Sequence, residues 1–150
     1  MFLQNLRAKI GARLNGESEA GFTLIELLVV MLILGILAAI AIPAFFNQKE
    51  KGTDAQAKEA AHSAQVAAET YSTENAGLYT GITAGELERI EPTLVPANLT
   101  VSTTGPTQYK VNIESTTGTD FYIERTGSAT VLKCEPVKTG GCPASGEWAK

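Results

Sequence analysis

Apolar and polar positions follow three different patterns along this chain. From Leu27 to Phe46 there are 20 consecutive residues without a charge. A helix of that length extends about 30 Å, the hydrocarbon thickness of a bilayer. Charge-free runs this long are rare in soluble domains of this size, so the pattern predicts a membrane-spanning helix over 22–46. Beyond Phe46 the apolar spacing becomes three and four. Ala57, Ala60, Ala61, Ala64, Ala67, Ala68 and Tyr71 form one seam of an amphipathic helix over 47–75. Lys58, His62, Gln65, Glu69 and Ser72 form the opposite, polar stripe. The small side chains of the seam allow close approach of another surface, expected to be the chain's own sheet. Asn75-Ala76-Gly77 reads as the stop. A continuous helix over 22–75 would be about 80 Å long, half hydrophobic rod and half part of a globular head.

After the helix the pattern loses helical spacing and then adopts a period of two. Residues 76–98 read as a loop with Gly77, Gly81, Gly85, Pro92 and Pro96, and with a short helical turn over Glu86-Leu87-Glu88-Arg89-Ile90. Within 99–134, Leu99 and Val101 alternate with polar neighbours, and Tyr109, Val111 and Ile113 alternate with Lys110 and Asn112. Phe121 and Ile123 alternate with Tyr122 and Glu124, and Val131-Leu132 lie in a final run ending at Cys134. Short Gly-, Ser- and Thr-rich turns separate four strands of an antiparallel meander. One face of that meander packs on the alanine seam, which makes the fold class α+β.

Charge adds direction to this picture. The chain has 150 residues and a formal net charge of -4. With no basic surplus to neutralise phosphates, direct nucleic-acid binding is not indicated. Arg7, Lys9 and Arg13 precede the apolar run, and by the positive-inside rule they stay cytoplasmic while the C-terminal part is exported. Glu17 and Glu19 count little in that rule. The apolar run is longer than that of an ordinary secretory signal. Ala39-Ile40-Ala41 has the small residues of a cleavage site, but Pro43 and Phe45-Phe46 follow closely. No Cys follows the run, which excludes a lipoprotein.

Glu26 is out of place in the apolar sequence. A carboxylate in a membrane helix is costly, and intramembrane charges usually have a dedicated partner. Near a helix end it can also snorkel to the interface. Its surroundings, Gly21-Phe22-Thr23-Leu24-Ile25-Glu26-Leu27-Leu28-Val29-Val30, resemble the prepilin signature of type IV pilins and pseudopilins. The resemblance covers the first third of the chain. It implies that residues 1–21 are a cytoplasmic leader, cut between Gly21 and Phe22 by a prepilin peptidase, a membrane aspartyl enzyme that also methylates the new Phe22 amine. The leader is longer than in the best-known subfamily. It further implies a pilin fold, with 22–46 as transmembrane and filament-core helix and 47–150 as the head.

Gly21 fits a narrow protease cleft, since it has no side chain. Cleavage creates a cation at Phe22, four residues before Glu26, and that spacing puts both on one helical face. An all-apolar bundle has little preference for axial register, and one buried ion pair can fix it. Glu26 is therefore expected to set subunit register, paired with the Phe22 amine of a neighbour. Gly35 and Pro43 interrupt the apolar helix. Pro43 cannot donate the bond that Ala39 would accept, so a kink is expected there.

Cys134 and Cys142 bracket residues 135–141 in the C-terminal loop, 134–150. In an exported chain a disulfide is the default, and zinc would need more ligands. Gly140-Gly141-Cys142-Pro143 and Trp148 are expected to fold back on the sheet. His62, the only histidine, lies on the polar stripe and is expected to be solvated. Asp54 and Asp120 are the only aspartates, with no dense acidic loop, so neither metal nor cofactor is expected. Asn98-Leu99-Thr100 has the form of a glycosylation acceptor, but such triplets arise by chance.

The leading expectation is a structural subunit, not an enzyme. Its partners would be prepilin peptidase, the lipid bilayer, an inner-membrane assembly platform, and copies of itself or other pilins in a helical filament. It would lie in the cytoplasmic membrane as a single-pass precursor with its N-terminus inside, and later in an extracellular pilus. The family roles are adhesion, surface motility and DNA uptake. The alternatives are a minor pilin or pseudopilin of a type II secretion-like system and, from another class, a single-span anchored enzyme. No nucleophile, base and orienter assemble for the last. Without the leader, nine Lys/Arg face fourteen Asp/Glu, giving -5 before the termini are counted.

Overall fold

The computed structural model describes residues 21–149. The basic residues Arg7, Lys9 and Arg13, and the leader before Gly21, lie outside the described residues. The chain divides into two compact units, one ending at Ile42 and one starting at Pro43. Helix α1, Leu24–Glu74, contains Pro43 and contributes to both. In the first unit its side chains are nearly all exposed, from Leu24 and Ile25 to Ile40 and Ile42. Among the described residues α1 is the one helix long and apolar enough to cross a membrane.

In the second unit the alanine seam is buried as its spacing predicts. Ala57, Ala61, Ala64, Ala67, Ala68 and Tyr71 join the core, while Ala60 is half-buried at its edge. Four strands pack over the seam: β1 Asn98–Gly105, β2 Gln108–Glu114, β3 Asp120–Thr126 and β4 Ala129–Glu135. They pair antiparallel in sequence order. The inward rows contain Leu99, Tyr109, Val111, Ile113, Phe121, Ile123 and Cys134. These large side chains fill the space that the alanines leave open, so large and small residues face each other across the layer. This is the α+β fold expected from the periodicities, a long N-terminal helix with a small antiparallel sheet.

The segment 76–98 is more ordered than its glycines and prolines suggest. It contains helix α2, Ala84–Ile90, and a 3-10 turn, Pro92–Leu94. Thr83 caps α2 by accepting the Glu86 N–H, which satisfies one of the free donors of the first turn. Tyr79, Ile82, Leu87 and Leu94 from this segment enter the core. The connection thus supplies a flank of the core rather than a surface excursion.

Cys134 and Cys142 form a disulfide. The tail then returns along β4. The Cys134 N–H donates to the Gly146 carbonyl, and the Trp148 indole N–H donates to the Lys133 carbonyl at 2.7 Å. The tail therefore covers part of a sheet edge that would otherwise present unpaired backbone groups.

Candidate functional site

The start of α1 is built from three residues outside the helix and one inside it. Gly21, Phe22 and Thr23 are not helical, and Phe22 is 81% exposed. The peptide between Gly21 and Phe22 is thus clear of the helical hydrogen-bond ladder. A Cβ at Gly21 would meet nothing within 4 Å. Glu26 lies in the first turn, and its carboxylate accepts both the Thr23 N–H and the Thr23 hydroxyl, each at 2.8 Å. The Glu26 N–H in turn donates to the Thr23 hydroxyl oxygen at 3.2 Å. This reciprocal arrangement is a capping box, in which residues three apart satisfy each other's free groups. The negative charge also lies at the positive end of the helix dipole. The spacing Thr23-x-x-Glu26 is itself a capping signal in the sequence, separate from the reading of Glu26 as an intramembrane charge.

Gly35 lies in mid-helix, and a Cβ there would also meet nothing within 4 Å. Among the described residues, no packing requires a glycine at that position. The helix continues through Gly35 and Pro43.

The polar stripe of the head makes specific tertiary contacts. Glu69 is only half exposed and collects three donors: the hydroxyls of Tyr79 at 2.8 Å and Tyr109 at 3.0 Å, and Arg125 at 2.7 Å. Burial pushes its carboxyl up, but the bonds from Tyr79, Arg125 and Tyr109, with the Arg125 charge, hold it below the ordinary range. Burial, with the Glu69 charge beside it, pushes the Tyr109 hydroxyl well above the ordinary tyrosine range. Ser72 is buried. Lys58 donates to the Gly141 carbonyl at 2.7 Å and lies 5.3 Å from the Phe121 ring centroid. His62 is exposed, as expected of a solvated residue, yet its ring stands edge-on to Trp148 at 5.0 Å. The helical spacing alone could not show this, because these partners come from the 76–98 connection, from strands and from the tail, all outside the helix.

Asp54 is the clearest omission of the sequence reading, which weighed it only as a metal ligand. It is fully buried and accepts hydrogen bonds from Ser115, Thr117 and the Gly141 N–H. The available signal was a lone acid in the seam register, three residues before Ala57 and seven before Ala61.

The prokaryotic N-terminal methylation motif matches residues 18–42. The type II secretion system core protein G of Pectobacterium carotovorum subsp. carotovorum is 36% identical over 61 residues. The chain is similar to type IV pilin-like proteins and pseudopilins in its N-terminal part. That match covers 41% of this chain and 39% of the relative, so the chain spans well under half of that protein's length. No solved structure matches. The long apolar N-terminal helix, the four-stranded antiparallel sheet and the C-terminal disulfide correspond to the pilin fold. A type IV pilin-like or pseudopilin subunit is a structural protein carried by an N-terminal apolar helix. Phe22, Leu24, Ile25 and the apolar residues that follow them are exposed among the described residues.

Proposed function

We propose that the chain is made as a membrane-anchored precursor and cut between Gly21 and Phe22 by a prepilin peptidase. Its Phe22 amine is then methylated, and the 22–46 helix polymerises into an extracellular filament. The observation that carries this reading is the helix start: a non-helical, exposed Gly21-Phe22 step immediately before a Thr23-capped apolar helix with Glu26 in its first turn. A protease needs an extended strand in its cleft, and here the scissile peptide requires no helical bond to break. The leader stays in the cytoplasm and the head is exported, in line with Arg7, Lys9 and Arg13 before the span.

Cleavage creates an amine one residue before the helix cap. The Glu26 carboxylate then has two claims on it, the Thr23 groups of its own helix and the Phe22 amine of a neighbouring subunit. We assign register to the second: in a bundle of apolar helices, a misplaced neighbour would leave both charges unpaired in a low-dielectric core. Gly35 and Pro43 are proposed as points where the helix loosens in the filament, since Pro43 removes one backbone donor. Partners are the assembly platform of the inner membrane and other pilin copies. Adhesion, surface motility and DNA uptake are the candidate roles of the filament.

A second reading, a pseudopilin of a type II secretion-like system, is favoured by the name of the relative in Pectobacterium. Both readings require the same processing. Co-expression with a prepilin peptidase tests it: the wild-type chain should shorten to a product beginning at Phe22, while Gly21→Leu stays full length. A wild-type chain that remains intact, or is cut elsewhere, would refute the processing.

A further inference from the structure

Among the described residues, Asp54 is the one charged side chain in the buried set. Its two oxygens serve two different segments. Oδ1 accepts the hydroxyls of Ser115 at 2.7 Å and Thr117 at 2.6 Å, at the turn between β2 and β3. Oδ2 accepts the Gly141 N–H at 2.6 Å, in the loop that the Cys134–Cys142 disulfide closes. Lys58, one helical turn on, donates its ammonium to the carbonyl of the same Gly141 at 2.7 Å. Two side chains of α1, spaced four apart, thus hold both backbone groups of one loop residue. That spacing puts them on one helical face.

The loop can approach this closely because two consecutive residues lack a side chain. A Cβ at Gly140 would overlap Asp54 Oδ2, and Gly140 has φ +53°. A Cβ at Gly141 would lie 2.9 Å from the Asp54 Cβ. Gly141 is directly followed by Cys142, so the grip and the crosslink act on adjacent residues. With the loop released, Oδ2 of a buried carboxylate would lose its donor, and an unmet buried charge is strongly unfavourable.

We propose that Asp54 and Lys58 form a latch coupled to the disulfide, so that the grip on Gly141 and closure of Cys134–Cys142 favour each other. The device makes locking of the C-terminal loop onto α1 conditional on oxidation. The chemical step is thiol–disulfide exchange. The two thiols of Cys134 and Cys142 give two electrons and two protons to an oxidant disulfide such as oxidised glutathione, which leaves as two thiols. The coupling is reciprocal: whatever strengthens the grip raises the tendency of the thiols to close, by the same factor. Asp54 and Lys58 are positioning residues here, since neither touches the sulfur atoms in the exchange.

The test uses the full chain in detergent micelles, equilibrated in glutathione buffers of graded redox ratio. The oxidised fraction is read by alkylation and mass spectrometry, under conditions where circular dichroism shows each variant folded in both redox states. Asp54→Ala should lower the equilibrium constant for disulfide closure by about tenfold, within the usual range of coupling between two sites. Lys58→Met should lower it in the same direction by less, and serves where Asp54→Ala does not fold. Leu87→Ala, which opens the core away from the loop, should leave the constant unchanged. Hydrogen exchange supplies a second readout: the Gly141 amide should be protected in the oxidised wild type and exchange faster on reduction. A closure constant within twofold of wild type in both latch variants, or an equal fall in Leu87→Ala, would overturn the latch. Neither readout involves processing or filament formation, so failure here is separable from failure of the filament reading.

Discussion

Replacing Glu69 with Ala removes the acceptor shared by Tyr79, Tyr109 and Arg125. The three donors differ in what they lose. Tyr109 is 1% exposed and Tyr79 3%, so their hydroxyls regain little water. A buried polar group left without a partner costs about 1–3 kcal/mol. The Arg125–Glu69 pair is about one-third exposed on both sides, so solvent screening limits its share to about 1 kcal/mol or less. With two such hydroxyls and the ion pair, the loss in head stability is about 2–7 kcal/mol. For a head of roughly 100 residues that corresponds to a fall of at least about 8 °C in melting temperature. The assay is thermal unfolding of the full chain in detergent, followed by near-ultraviolet circular dichroism of the tyrosines. Tyr109→Phe should account for part of the loss, and the double variant should be less destabilised than the sum of the two. The pH dependence has a definite sign. The folded Glu69 carboxyl is held below its unfolded value, so its contribution is complete above about pH 4.5 and disappears as pH falls through the lowered folded value. Glu69→Gln should therefore flatten the acid limb between neutral pH and pH 3. A Glu69→Ala chain that melts within 2 °C of wild type, or an unchanged acid limb in Glu69→Gln, would show that this cluster is surface decoration.

Gly140→Ala should destabilise the head by about 1–3 kcal/mol, since its backbone lies in the left-handed region and its new Cβ would displace Asp54, as a shift in chemical denaturation would show. Ala64→Leu should cost about 1–3 kcal/mol or prevent folding, because Ala64 is fully buried in the helix seam packed on the sheet; an exposed control on the same helix, Val66→Leu, should be close to neutral by the same assay. Thr23→Ala should speed amide exchange over Thr23 to Glu26 in micelles while leaving the head's melting temperature unchanged.

The parts of this molecule that follow from local periodicity were legible in the sequence. The alanine seam, the alternation of Tyr109, Val111 and Ile113, and the charge-free run each report one face or one length, and each emerges as expected. What the periodicities could not supply is the identity of partners remote along the chain. Glu69 lies on a polar stripe, but its partners Tyr79, Tyr109 and Arg125 come from a loop and two strands. The seam register of Asp54 points to its burial, but no pattern within α1 encodes the turn and the crosslinked loop that bring its donors. In the segment 76–98 the helical turn over 86–90 was legible, but its packing was not: Gly and Pro signal turns, while the burial of Leu87 and Leu94 depends on a neighbouring sheet. At the helix start the opposite applies. The Thr23–Glu26 box is local, three residues apart, and was legible in principle.

Glu26 therefore has a local partner before any neighbour arrives. In the proposed filament, assembly would have to exchange or share that partner, which makes the proposed amine at Phe22 the decisive group. Its existence can be tested directly by shearing the cell surface, isolating the fibres and sequencing the N-terminal peptide of this chain by mass spectrometry. The account predicts a peptide that begins at Phe22 with a methylated amine. Fibres whose copies of this chain retain residues before Phe22 would contradict it.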